Sequence, residues 1–211
     1  MPQIEYFYSA HSAFAYIGSA RLMDIARASG REIKHRPIDL RPVMQSARGA
    51  GFSGFSNAHR DYFFGREIER WSEYRNVPIV PYRPSHHDNS LALASGMIIA
   101  ATEGNINADN LAHLILEAHW RDDADHADPK TLAEIASSAG YDATQLLDRA
   151  LEENIQAKFR ANTAEAIRRS VFGSPTYFVD GDMYYGQDHL ELLERALQRP
   201  FGGHWPRHNE Q

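Results

Sequence analysis

Apolar and polar positions change period several times along the chain. Ile4-Glu-Tyr-Phe-Tyr-Ser9 is dense in β-branched and aromatic residues and predicts a core strand. After a short turn the apolar positions shift to a helical period, Phe14, Ile17, Leu22 and Ile25, ending near Gly30. Arg31 to Leu40 predicts a second strand, with Pro37 placing its end near an edge or a turn. A Gly-rich loop, Ala47 to Ser56, leads into an almost wholly helical stretch. Helices are predicted over Arg60–Tyr74, Ser90–Thr102 and Ala108–Arg121, then from the cap Asp128-Pro129 to Gly140, from Asp142, and over Gln156–Arg169. The pattern then returns to strands. Thr176-Tyr-Phe-Val and Met183-Tyr-Tyr flank the hairpin dipeptide Asp180-Gly181, and Leu190, Leu193 and Leu197 form the apolar stripe of a last helix beginning at Asp188.

Composition narrows the classes of function. At 211 residues and 43% hydrophobic, the chain can bury a sizeable core, as one domain or one domain with an inserted subdomain. A net charge of -6 offers no electrostatic footprint for nucleic acid. The apolar stretch Leu91–Ala101 is too short to span a bilayer, and no basic region followed by an apolar run opens the chain, so a cytoplasmic protein is expected. With no cysteine, the chain cannot form or exchange a disulfide through its own residues. The glycines Gly49, Gly51 and Gly54 precede no Lys-Ser or Lys-Thr, which excludes a phosphate-binding loop and leaves mobility near an entrance as the expectation.

Candidate chemistry gathers at two turns. Pro175 begins the third strand, either merely as its first residue or through a cis Ser174-Pro175 bond that would free flanking backbone groups to pair with an extended ligand. Ser12 stands at the predicted N-terminus of the first helix, as a cap or as a donor to a bound anion. His11 adjoins it, either as a proton shuttle or donor to a carboxylate, or as an ordinary surface turn residue. His86-His-Asp88 has no third ligand at a readable spacing, so no metal site is expected; His113 and His119 lie six apart, on different helix faces.

Three segments resemble the 2-hydroxychromene-2-carboxylate isomerase family, which is related to kappa-class glutathione transferases and to DsbA-like oxidoreductases. They are Tyr6-Phe-Tyr-Ser-Ala-His-Ser12-Ala-Phe-Ala-Tyr16, then Tyr62 to Pro78 with its Glu-Arg-Trp-x-Glu-Tyr-Arg-Asn-Val-Pro, and Phe172-Gly-Ser-Pro-Thr through Gly186-Gln-Asp-His-Leu190. The resemblance implies an α/β, thioredoxin-like fold with an inserted all-helical subdomain: residues 1–42 and 170–211 for the thioredoxin-like part and 43–169 for the insertion. In that fold Ser12 and Ser174-Pro175 converge on one site. Ser12 matches the position of the first cysteine of the oxidoreductases and Ala15 that of the second. Glutathione is the implied cofactor, its thiolate on Ser12, its cysteinyl unit on Ser174 and Pro175, its γ-glutamyl end at Gln187 and Asp188, with Asn89 near it or capping the next helix. The implied substrate is a small aromatic, contacted by Phe14, Phe52, Phe55 and the inserted helices, and a homodimer is possible. Two departures stand out: Ala13 replaces the family's usual proline, and Leu93-Ala-Ser95 lacks the basic residue expected to meet a substrate carboxylate. A kappa-type transferase and a redox-inactive binding module are the alternative readings.

Overall fold

The computed structural model describes residues 2–49 and 54–203, so Phe52 and Gly51 lie outside the described residues. Four strands form one sheet in the order β2-β1-β3-β4: β1 (Gln3–Tyr8), β2 (Glu32–Pro37), β3 (Thr176–Val179) and β4 (Asp182–Tyr185). β1 and β2 run parallel with Tyr6 opposite His35, while β3 is antiparallel to both neighbours, with Tyr177 facing Tyr6 and Tyr184. The hairpin forms as its dipeptide predicts. Asp180 and Gly181 take φ of 51° and 92°, the left-handed pair such a turn requires, and Arg31 clasps the Asp180 carboxylate at 2.8 and 2.7 Å. β2 is an edge strand, which accommodates Pro37 at its end.

Alternation along β1 divides the core. Ile4, Tyr6 and Tyr8 point to one face, where the Tyr6 ring stacks 4.0 Å from Tyr8 and 5.3 Å from Tyr177. That face is covered by α1 (Ala13–Ser29), α5 (Ala92–Glu103), α6 (Asp109–Arg121) and α10 (Leu190–Gln198). On the other face Phe7 and Phe178 pack with Val43 of α2 (Leu40–Arg48), with Ala166 of α9 (Glu153–Arg168), and with Ile38 and Val171. Helices on both faces of a short mixed sheet make this a thioredoxin-like α/β fold with a helical insertion. The expected insertion limit at residue 43 falls inside α2, and α9, though within 43–169, packs on the sheet.

Between α2 and α5 the predicted helix is one continuous rod with a widened turn: α3 (Asn57–Asp61), a π turn (Tyr62–Arg66) and α4 (Glu67–Arg75). Ser56 caps it by accepting from the His59 N–H at 3.2 Å. α5 is buried from Leu93 to Ala101, which explains its unbroken apolar run. It lies so close to α8 (Ala143–Ala150) that a Cβ on Gly96 would come within 2.1 Å of the Ala150 carbonyl oxygen. α7 (Pro129–Ser138) starts at Asp128 with proline in its first turn, as expected. Among the described residues no helix is long and apolar enough to cross a membrane.

Candidate active site

Two strand ends and one helix start build the site. β1 delivers the chain to Ser9, a tight turn follows, and Ser12 caps α1 by accepting from the Ala15 N–H at 3.3 Å. On the adjacent strand, the Ser174-Pro175 bond is cis. The Ser174 hydroxyl accepts from the Ser9 N–H at 3.0 Å, and the Ser12 hydroxyl donates to the Ser174 carbonyl at 3.4 Å. The two predicted turns therefore meet, 162 residues apart in sequence. The first N–H groups of α1 have no intrahelical acceptor, so this corner presents donors and the positive end of the helix dipole.

Ser12 and Ser174 open onto a cavity of about 800 Å³. Its walls are aromatic and apolar: Phe14, Phe55, Phe63, Phe64, Trp120 and Tyr185 among them. The π turn supplies Phe63, Phe64 and Gly65, and Phe14 meets Phe63 at 5.1 Å. Asn89 also lines the cavity, but it does not cap α5: the cap position is Leu91, and the Asn89 amide donates to Asp125 at 2.9 Å.

Pro175, Gln187 and Asp188 stand behind this wall rather than in it. The Pro175 carbonyl accepts from the Gly186 N–H at 2.9 Å, which puts Gly186-Gln-Asp beside the cis bond. Gly186 has φ 93°, and a Cβ there would lie 2.2 Å from an Asp188 carboxylate oxygen, so the position needs glycine twice over. Gln187 is buried and turned inward, accepting from Arg75 at 3.2 Å, while Asp188 is exposed. The last helix does not begin at Asp188: a 3-10 turn (Gln187–His189) precedes α10, and Asp188 makes no side-chain cap.

The largest departure from expectation is around His11. It lies in the turn but is half-buried rather than on the surface. Its ring stacks 4.2 Å from His87 and lies within ring contact of His119 and His126, residues supplied by three other segments. The Trp120 indole donates to the His11 carbonyl at 2.8 Å. The His11 Nδ1 lies 3.0 Å from the His87 carbonyl; a carbonyl only accepts, so Nδ1 carries the proton. Burial, reinforced by His126, pushes the His11 pKa down to about 3. The ring is then neutral with a bare Nε2, an acceptor, and donation to a carboxylate is lost to it. Burial likewise lowers His87 to about 2 and His119 to about 4. His87 and His119 bond ring to ring at 3.0 Å, and His126 reaches the Asn89 carbonyl at 3.2 Å. Among the described residues no group of three or more His, Cys, Asp or Glu is arranged to hold a metal. Nothing in the local pattern around Gly, Pro or apolar positions announces this cluster, because its members are brought together only by the packing of α6 against the two loops.

A helix-starting serine in contact with the residue before a cis proline, at the edge of an aromatic cavity, is the arrangement of a thioredoxin-type active turn, and the match to the DSBA-like thioredoxin domain runs from residue 3 to residue 198. The chain belongs to this family. Within the DSBA-like family it has no cysteine, so its active turn carries Ser12 and Ala15 and cannot perform dithiol exchange. It is similar to the 2-hydroxychromene-2-carboxylate isomerase of Sphingobium xenophagum, 28% identical over 196 residues, spanning 92% of this chain and 97% of the relative. It is also similar to glutathione S-transferase kappa 1 of Rattus norvegicus, 24% identical over 214 residues, spanning 96% and 94%. A solved structure of 2-hydroxychromene-2-carboxylate isomerase has the same fold, with a TM-score of 0.75 at 23% identity over 93% of this chain and 94% of that one.

Proposed function

We propose that the chain is a glutathione-dependent isomerase of an aromatic-catabolism intermediate, converting a 2-hydroxychromene-2-carboxylate type of substrate to a trans-o-hydroxybenzylidenepyruvate. The observation that carries this reading is Ser12: a buried hydroxyl at a helix start, beside a cis proline and opening on an aromatic cavity, in a chain without a thiol of its own. The residues fit glutathione. The Ser174 carbonyl, held at 3.4 Å by the Ser12 hydroxyl, could accept from a tripeptide's N–H once that hydroxyl turns away, the end of α1 suits an anionic sulfur, and the exposed Asp188 carboxylate suits an ammonium group. When bound, glutathione would supply a sulfur nucleophile whose reversible addition divides the isomerisation into easier steps.

The chain's own residues do the rest. Ser12 turns its hydroxyl from the Ser174 carbonyl to the thiol sulfur and, with the α1 dipole, favours the thiolate. The Ser174 carbonyl would accept from the cysteinyl N–H, and the cis bond to Pro175 sets the direction in which that carbonyl points. Asp188 accepts from the γ-glutamyl ammonium, and Gln187, bound by Arg75, positions it. His11 offers its bare Nε2 to a substrate hydroxyl and can hold that proton in passing. The aromatic walls receive the ring and exclude water. The likeness to a kappa-class transferase favours a second reading, in which the same thiolate site releases a stable conjugate.

Mixing the protein with a 2-hydroxychromene-2-carboxylate, with and without glutathione, tests both. Isomerisation strictly requiring glutathione is expected, and Ser12→Ala should lower it roughly tenfold to a hundredfold, the worth of one charge-assisted hydrogen bond. Turnover without the thiol, or an unaffected Ser12→Ala enzyme, would remove the mechanism. Conjugation of a chlorinated aromatic without isomerisation would select the transferase.

A further inference from the structure

The basic groups in the cavity wall are unequally matched by acids. Asp88 lies 2.7 Å from the Arg83 guanidinium and 3.2 Å from that of Arg41, so both are drawn to one carboxylate. Asp39 is engaged in capping α2, accepting from the Arg41 N–H at 3.1 Å, and Glu69 pairs with Arg66 at 2.8 Å. Arg48, the last residue of α2, also lines the cavity, and among the described residues it has no carboxylate partner. Its guanidinium lies 5.1 Å from the centroid of the Phe55 ring. Across the cavity wall it faces Tyr185: burial raises that phenol's pKa, and the Arg48 charge pulls it the other way.

A guanidinium resting on an aromatic face keeps its donor fork free for a planar, bidentate partner, and the surrounding apolar wall strengthens any charge pair formed there. Neither His11, whose Nε2 only accepts, nor Ser95, buried within α5, can take that part. We propose that Arg48 is the carboxylate anchor of this cavity, so that the ligand selected is an aromatic acid with its carboxylate at the end of α2 and its ring against Phe14, Phe55 and Phe63. The inference rests on the isomerase reading for the class of ligand, and it replaces the basic residue missing near Ser95 with one from a different element. A carboxylate could also come from the glycyl end of glutathione, which the experiment separates.

The test uses binding rather than turnover. Chromone-2-carboxylate and its uncharged carboxamide are titrated without glutathione by calorimetry. The wild-type chain should prefer the acid. Arg48→Gln should lose about tenfold in affinity for the acid and little for the amide, a modest loss because Arg48 is solvent-exposed. Arg48→Lys should keep part of the preference, and Arg83→Gln all of it, with matching circular dichroism throughout. The proposal is overturned if wild type does not discriminate, or if Arg48→Gln still does. It is equally overturned if the variant's loss appears only between glutathione and its glycyl ethyl ester, which would assign Arg48 to the cofactor. Acid preference through Arg48 without any glutathione-dependent turnover would leave this inference standing and sink the isomerase reading.

Discussion

Single residues at this site carry two duties at once. Ser12 caps α1 and points its hydroxyl at Ser174, so the same oxygen that stabilises the helix start is positioned for a bound sulfur. Asp188 divides these duties differently. It is exposed, makes no cap on α10, and sits where Gly186 bends the chain beside Pro175. Asp188→Asn should therefore weaken glutathione binding, since the amide cannot neutralise an ammonium, while the melting temperature stays within about 2 °C. Calorimetry showing unchanged glutathione affinity would mean that the cofactor's amino end is held elsewhere.

At the scale of elements, the helical insertion places the cavity wall. The π turn between α3 and α4 widens one helical turn and turns Phe63 and Phe64 to the cavity. α5 lies on the sheet's face and tightly against α8, with Gly96 at the point of contact. Gln156 reinforces the junction, donating to the Ala150 carbonyl at 2.7 Å and to the Ala92 carbonyl at 3.0 Å. Gly96→Ala gains helix propensity yet drives its methyl into a backbone carbonyl that cannot move without α8. A net loss of about 2 kcal/mol is expected, lowering the melting temperature by roughly 4–8 °C. A variant as stable as wild type would show that the two helices separate readily.

At the scale of the whole molecule, the four histidines tie the active turn to the insertion, and their protonation tests that tie. His11, His87 and His119 all have folded-state pKa values below the ordinary 6.5, because burial disfavours the charged ring. Well above pH 6.5 they are neutral folded or unfolded and contribute no pH dependence. As pH falls from there toward 4, the unfolded chain takes up protons that the folded chain refuses, so stability drops. The melting temperature should decline steadily between pH 7 and pH 5, before most carboxylates titrate, and His119→Gln should flatten that decline. A flat profile in the wild-type chain would show that the cluster opens to solvent and titrates normally.

Much of the fold was legible locally, for physical reasons. Period-2 alternation with Asp180-Gly181 specifies the hairpin, caps such as Asp128-Pro129 and Asp142 specify helix starts, and the absence of cysteine settles the redox question without any structure. Ser12 and Ser174 could be paired because a recurring fold brings their turns together. The histidine cluster, the inward turn of Gln187 and the placing of Arg48 on Phe55 away from any described carboxylate could not, because each depends on which distant groups the packing brings within a few ångströms. Local sequence determines the backbone's own hydrogen bonds and the alternation of faces along strand and helix; the burial that keeps the His11 ring neutral, and the pairing that occupies Arg83 but leaves Arg48 free of any described carboxylate, were decided only in three dimensions.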